Sequence, residues 1–138
     1  DADFRATLDL VDEIGFAQAY SFKFSPRPGT PAADMPGQVP EDVKAERLSA
    51  LQEKLNADQR AFNEAQVGRT MPVLLDRRGR HEGQLLGRGP YMHAVAVDGA
   101  PDALFGAIVD VAIEAAGANS LRGVVAGGSG RGDARQCA

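Results

Sequence analysis

Between Arg69 and Val125 the chain breaks into five short runs bounded by turn residues, and this pattern constrains the fold more than any other feature. Met71-Pro72-Val73-Leu74-Leu75, Gln84-Leu85-Leu86-Gly87-Arg88, His93 to Val97, Leu104 to Ala115 and Ser120 to Val125 read as strands. Turns fall at Arg78-Gly79, Gly89-Pro90, Asp98-Gly99-Ala100-Pro101 and Gly117-Ala118-Asn119. So many short strands in so little chain fit a small closed antiparallel barrel of the OB-like kind. In the fourth run Phe105, Ala107, Val109, Val111 and Ile113 share one parity and are expected to face inward, with Asp110 and Glu114 outward.

The chain ahead of the barrel has a different texture. Phe4, Leu8, Val11 and Ile14 recur at helical spacing, Asp1 and Asp3 suit a positive helix N-terminus, and Gly15 stands where a left-handed C-cap would sit. Phe16, Gln18, Tyr20, Phe22 and Phe24 then alternate with Ala17, Ala19, Ser21 and Lys23, which predicts a strand. That strand has no partner nearby, so its sheet is expected to be completed by residues upstream. A proline-rich loop follows, with Pro26, Pro28, Pro31 and Pro36 among Ser25, Arg27, Gly29 and Thr30. Ser25, Arg27 and Thr30 could contact a phosphate or carboxylate, or could simply close a turn. From Pro40 to about Gln66 strong helix formers dominate; Val43, Leu48, Leu51, Leu55 and Phe62 mark an apolar stripe that Asp58 interrupts. A connector helix ended by Gly68 is expected rather than a coiled coil.

Composition narrows the chemistry. The formal net charge is -4 across 138 residues, and no apolar run approaches the roughly 20 residues of a membrane span. The chain opens on Asp1-Ala2-Asp3 with neither Met nor a basic leader, which reads as part of a longer protein. Its single cysteine, Cys137, lies in a Gly/Ser/Arg-rich tail and can neither form an internal disulfide nor hold an iron–sulfur cluster. His81 and His93 lack ligand-like spacing, and Arg131-Gly132-Asp133 reads as a chance match in that tail. Within the barrel the charge is uneven. Arg69, Arg77, Arg78, Arg80 and Arg88 crowd the first half, near Tyr91 and His93, and are expected to form a basic, stacking RNA-binding patch at one end. Solvated surface charge is the competing reading.

The segment from Asp12 to Ala33, with Gln38-Val39-Pro40-Glu41-Asp42-Val43-Lys44 and Arg47-Leu48, resembles the radical SAM methylthiotransferases of the MiaB type. Gly68-Arg69, Val73-Leu74-Leu75, Gly83, Leu86-Gly87-Arg88, Gly106, Val109, Val111, Ile113, Asn119-Ser120-Leu121 and Gly123 are similar to that family's TRAM domain. The resemblance implies four regions: the end of a radical SAM α/β barrel (its last helix and strand) over 1–36, a connector helix over 37–67, a TRAM domain over 68–126 and a flexible tail over 127–138.

The resemblance also implies an activity, methylthiolation of C2 of N6-isopentenyladenosine next to the anticodon. S-adenosylmethionine and two [4Fe-4S] clusters would serve the full-length enzyme, with none held by this part alone. Ser25, Arg27, Gly29 and Thr30 match the exit of the last barrel strand, near cofactor and substrate. Arg69, Arg77, Arg78, Arg80, Arg88, Tyr91 and His93 would meet the tRNA anticodon stem-loop. The expected setting is a monomeric cytoplasmic enzyme with neither membrane nor DNA as partner. Lacking the cluster cysteines, this part alone is expected to be inactive. Related alternatives are methylthiotransferases for threonylcarbamoyladenosine tRNA or ribosomal protein S12, the latter disfavoured by Arg27, and a non-catalytic RNA-binding module.

Overall fold

The computed structural model describes residues 1–127, so the tail, with Cys137 and Arg131-Gly132-Asp133, lies outside the described residues apart from Gly127. The chain divides into two compact units, residues 1–65 and the residues from Gln66 onward.

The first unit is helical. α1 (Ala2–Ile14) ends as its sequence requires: Gly15 adopts φ 61°, ψ 67° and donates its N–H to the Val11 carbonyl at 3.0 Å. A single turn, α2 (Pro31–Asp34), precedes the long α3 (Glu41–Glu64), whose first turn holds Glu41 and Asp42. Pro40 sits one residue outside the helix and accepts the N–H of Lys44 at 3.0 Å, so it caps the helix rather than starting it. α1 packs on α3, burying Val11 and Leu55. Arg47 pairs with Asp1 and lies over the Phe4 ring, and Lys54 pairs with Asp12. These ion pairs are exposed and each contributes only ~0–1 kcal/mol.

The alternation over residues 16–24 does not become a strand here. The segment bends at Ala17 and Gln18, and Tyr20 and Phe22 are about four-fifths exposed (79% and 84%). A strand is stable only when its N–H and C=O groups pair with a neighbour, and the described residues of this unit supply helices and turns alone.

The second unit is a closed barrel of five strands: β1 (Thr70–Arg78), β2 (Gln84–Arg88), β3 (Ala94–Asp98), β4 (Ile108–Ala116) and β5 (Ser120–Val125), in the order β1-β2-β3-β5-β4. β1 pairs with β4 to close the cylinder, Thr70 opposite Ala112 and Leu74 opposite Ile108. The expectation of a fully antiparallel barrel needs correcting, since β3 and β5 run parallel, Ala94 opposite Ser120 and Asp98 opposite Val124. The reason is counting: direction cannot alternate around a ring with an odd number of strands, so at least one neighbouring pair must be parallel.

Alternation along each strand fills the interior with Met71, Val73, Leu75, Leu85, Val95, Val97, Val111, Ile113 and Leu121, joined by Ala100 from the β3–β4 connection. Burial of each large apolar side chain contributes roughly 1.5–3 kcal/mol. The expected fourth strand from Leu104 proves shorter, because Asp102–Leu104 form a 3-10 turn and Gly106 takes φ 83°. That left-handed residue breaks the parity, so Phe105 is half exposed (49%) instead of facing inward.

Two inward glycines set the barrel's narrowness. A Cβ on Gly87 would stand 2.3 Å from the Leu74 carbonyl oxygen, and one on Gly123 would stand 2.2 Å from that of Ala112. Both obstacles are backbone of a neighbouring strand, which can yield only by breaking the ladder. Gly87→Ala and Gly123→Ala should each destabilise the barrel by ~1–3 kcal/mol, read as a lower urea midpoint; an unchanged midpoint would show that the strands are not so close.

His93, just before β3, is buried, with Nε2 3.3 Å from the Met71 sulfur. Burial holds its pKa below the usual histidine value, because the charged ring would lose hydration. The unfolded chain therefore binds the proton more readily, and stability present above about pH 6.5 should fall as pH drops below it. Urea midpoints from pH 8 to pH 5 should show this fall in the parent and a shallower one in His93→Gln; parallel curves would refute the assignment.

Candidate nucleic-acid interface

Strand direction decides which basic residues can act together. β1, β3 and β5 finish at the end of the barrel where β2 and β4 begin. Arg77, Arg78 and Arg80 belong to that end, on the close of β1 and the loop into β2. Arg69 precedes β1, Arg88 closes β2, and Tyr91 and His93 lie between β2 and β3, all at the opposite end. The seven residues expected in one patch thus form two groups, because a hairpin places the start of its first strand and its turn at opposite ends.

At the first end the arginines are partly neutralised. Arg78 Nη1 donates to Asp102 Oδ2 at 2.7 Å, and its guanidinium stands 5.9 Å from the centroid of the Phe105 ring. Arg77 Nε approaches Asp76 Oδ1 at 3.4 Å. The loop is braced from within: Gly79 N–H donates to the Gln84 carbonyl at 2.7 Å, Arg80 N–H to Gln84 Oε1 at 3.3 Å, and Gln84 Nε2 to Asp98 Oδ1 at 2.8 Å. Ala100 N–H reaches the Gly83 carbonyl at 3.0 Å and ties the β3–β4 connection to the same loop. The guanidinium of Arg80 makes no hydrogen bond or ion pair among the described residues. The result is a hydrogen-bonded loop that carries the uncommitted guanidinium of Arg80 at the same end of the barrel as the half-exposed Phe105 ring.

The opposite end is organised differently. Arg88 Nη1 donates to the Met92 carbonyl at 2.9 Å, which fixes the β2–β3 loop; Met92 itself takes φ 63°. Tyr91 is exposed and stacks on His93, with ring centroids 6.1 Å apart and planes inclined by 21°. His93 itself is buried and exposes almost none of its surface. Arg69 uses its backbone in the barrel seam, donating to Gln66 and accepting from Ile113, and leaves its side chain exposed. Arg122 on β5, which sequence reasoning did not single out, lies outward beside Ala96 of β3 and 3.6 Å from Asp98. Its outward parity opposite Leu121 and Gly123 was the available signal.

In the first unit the Ser25–Thr30 loop is a tight turn. Thr30 donates to the Arg27 carbonyl through both Oγ1 (2.8 Å) and N–H (3.2 Å), and Gly29 takes φ 79°. Thr30 therefore closes the turn, whereas Ser25 and Arg27 are exposed with side chains uncommitted among the described residues. Lys23 pairs with Glu41 and holds that carboxyl below the usual range. No group of His, Cys, Asp and Glu among the described residues is arranged to hold a metal ion, and no helix there is long and apolar enough to cross a membrane.

Comparison with known proteins agrees with this architecture. Residues 64–126 match the TRAM domain family. The chain is 56% identical over 127 residues to the tRNA-2-methylthio-N(6)-dimethylallyladenosine synthase of Maricaulis maris, covering 92% of this chain and 28% of that protein. It is 54% identical over 123 residues to the synthase of the same name from Erythrobacter litoralis (89% of this chain, 27% of that one). The Rickettsia canadensis synthase is 50% identical over 125 residues (91% and 28%). The chain thus spans little more than a quarter of the length of the curated relatives it matches. Identity at this level runs through both units, so the chain is similar to these synthases over nearly all of its length, and its five-stranded barrel coincides with the match to the TRAM domain.

Proposed function

We propose that the chain is the tRNA-gripping part of an enzyme that adds a methylthio group to C2 of N6-isopentenyladenosine beside the anticodon. The observation that carries this reading is identity of 50% or more over about nine-tenths of the chain, loop and barrel together, with synthases of that name. In this reading residues 1–36 complete an α/β barrel supplied by further polypeptide. The exposed aromatic alternation at Tyr20, Phe22 and Phe24 would then find the neighbouring strands it lacks here. Residues 37–67 connect, and residues 68–126 bind the anticodon stem-loop of a monomeric cytoplasmic enzyme.

Reactions of this class draw a methyl group and a radical from S-adenosylmethionine with the help of two [4Fe-4S] clusters. One cysteine in the whole chain cannot ligate a cluster, so those ligands would come from elsewhere in the protein, and this part alone would be inactive. The chain's own contribution is binding and positioning. Ser25 and Arg27 offer a hydroxyl and a guanidinium to substrate or cofactor, while Gly29 and Thr30 hold the turn that presents them. The barrel contributes cations for phosphates and flat rings for unpaired bases.

Two experiments test this. Replacing the matching quarter of the Maricaulis maris synthase with this chain should give an enzyme that restores methylthiolated isopentenyladenosine in a strain lacking it, read by nucleoside mass spectrometry. A soluble, cluster-loaded chimera that yields only the unmodified isopentenyl nucleoside would sink the proposal. Separately, the 138-residue chain should bind an anticodon stem-loop with an affinity that falls steeply with salt. Arg77, Arg78 and Arg80 replaced together by Ala should weaken binding on the order of tenfold and flatten the salt slope by about one unit for each phosphate left without its cation. Unchanged affinity and slope would mean that these arginines are only solvated surface.

A further inference from the structure

Phe105 is an exposed aromatic side chain at the end of the barrel that carries Arg78 and Arg80. It stands outside the core, half exposed, directly after the 3-10 turn. Arg78 lies over it at 5.9 Å from the centroid and is held there by its 2.7 Å bond to Asp102. Arg78, Asp102 and Arg80 also line an open cavity of about 290 Å³ together with His81 and Glu82. The ring is therefore in contact with a cavity-lining residue, Arg78, and a second guanidinium, uncommitted among the described residues, stands on the adjoining loop.

We propose that Phe105, Arg78 and Arg80 form a subsite for one unpaired nucleotide of a single-stranded RNA segment. The base stacks on the exposed part of the Phe105 ring, which the Arg78 guanidinium braces, and Arg80 meets a flanking phosphate. This rests on the RNA-binding reading above and adds to it a place and a contact. Charge separates a nucleotide from a plain anion here. Asp102 and Glu82 offset the arginines of the cavity, so an inorganic phosphate or an acidic peptide gains little net attraction. A nucleotide gains the stacking surface as well, which is uncharged in origin and indifferent to the two carboxylates. The pairing with Asp102 also lowers the cost of ordering Arg78 on binding.

The chain contains no tryptophan, so Phe105→Trp places a single reporting indole at the site. The probe is an unstructured RNA of about ten nucleotides, within the span one OB-like barrel covers, with overall binding followed independently by anisotropy of an end label. Saturable quenching of the indole at the same RNA concentrations that raise the anisotropy is expected. Adding Arg80→Ala should shift both curves several-fold to higher RNA. In the otherwise unaltered chain, Phe105→Leu should weaken binding by about tenfold, the loss of one base–aromatic stack, while Phe105→Tyr should retain it. Anisotropy that rises while indole emission stays constant would overturn the subsite and leave RNA binding by the barrel intact. No anisotropy change with either this RNA or the anticodon stem-loop would overturn both readings. Equal quenching by polyglutamate or inorganic polyphosphate would overturn the nucleotide assignment in favour of an acidic partner.

Discussion

The ladder between β1 and β4 is the pairing on which the rest of the barrel depends. It joins the first strand to the fourth and, together with the ladders that β5 makes to β3 and β4, leaves a cylinder with no exposed edge. Once it forms, the inward parity of Val73, Leu75, Val111 and Ile113 is fixed, and so is the outward parity of everything a ligand could meet. Gly106 extends this seam by donating its N–H to the Leu75 carbonyl at 2.7 Å, and in doing so it places Phe105 beside Arg78. The packing of the core and the layout of the surface are thus two results of one ladder.

Much of this is legible in the residues. The second and fifth strands have the ends that their residues predict, Gln84–Arg88 and Ser120–Val125, because alternation and turn residues agree there. The helix ending at Gly15 follows from an apolar spacing and a glycine in the one place that needs a left-handed residue. Alternation extended across Gly106 misplaces Phe105, because that glycine's backbone conformation is invisible in a parity count. The segment from Phe16 to Phe24 carries a genuine strand pattern, yet pattern supplies only one half of a ladder.

The candidate site is legible in kind but not in arrangement. The sequence shows that arginines and aromatic residues are abundant in the first half of the barrel. It does not show that Arg77 and Arg78 face the end opposite to Arg69 and Arg88, since that depends on strand direction. Nor does it show that Asp76 and Asp102 have already taken much of the charge from two of them. Exposed pairs of this kind add little to stability, ~0–1 kcal/mol, and bias a long side chain toward one orientation.

The parallel neighbours β3 and β5 carry a consequence for the order of assembly. β5 is the last strand of the barrel in the chain, yet it occupies an interior place in the ring, between β3 and β4. During synthesis β1, β2 and β3 can form a meander as they emerge, but the cylinder has a gap until Ser120 to Val125 arrive. Until then Val95, Val97, Val111 and Ile113 lack the strand that covers them from the side. The barrel is thereby completed from its C-terminal end, and a ribosome that stops short of Val125 releases an open sheet in place of a TRAM domain.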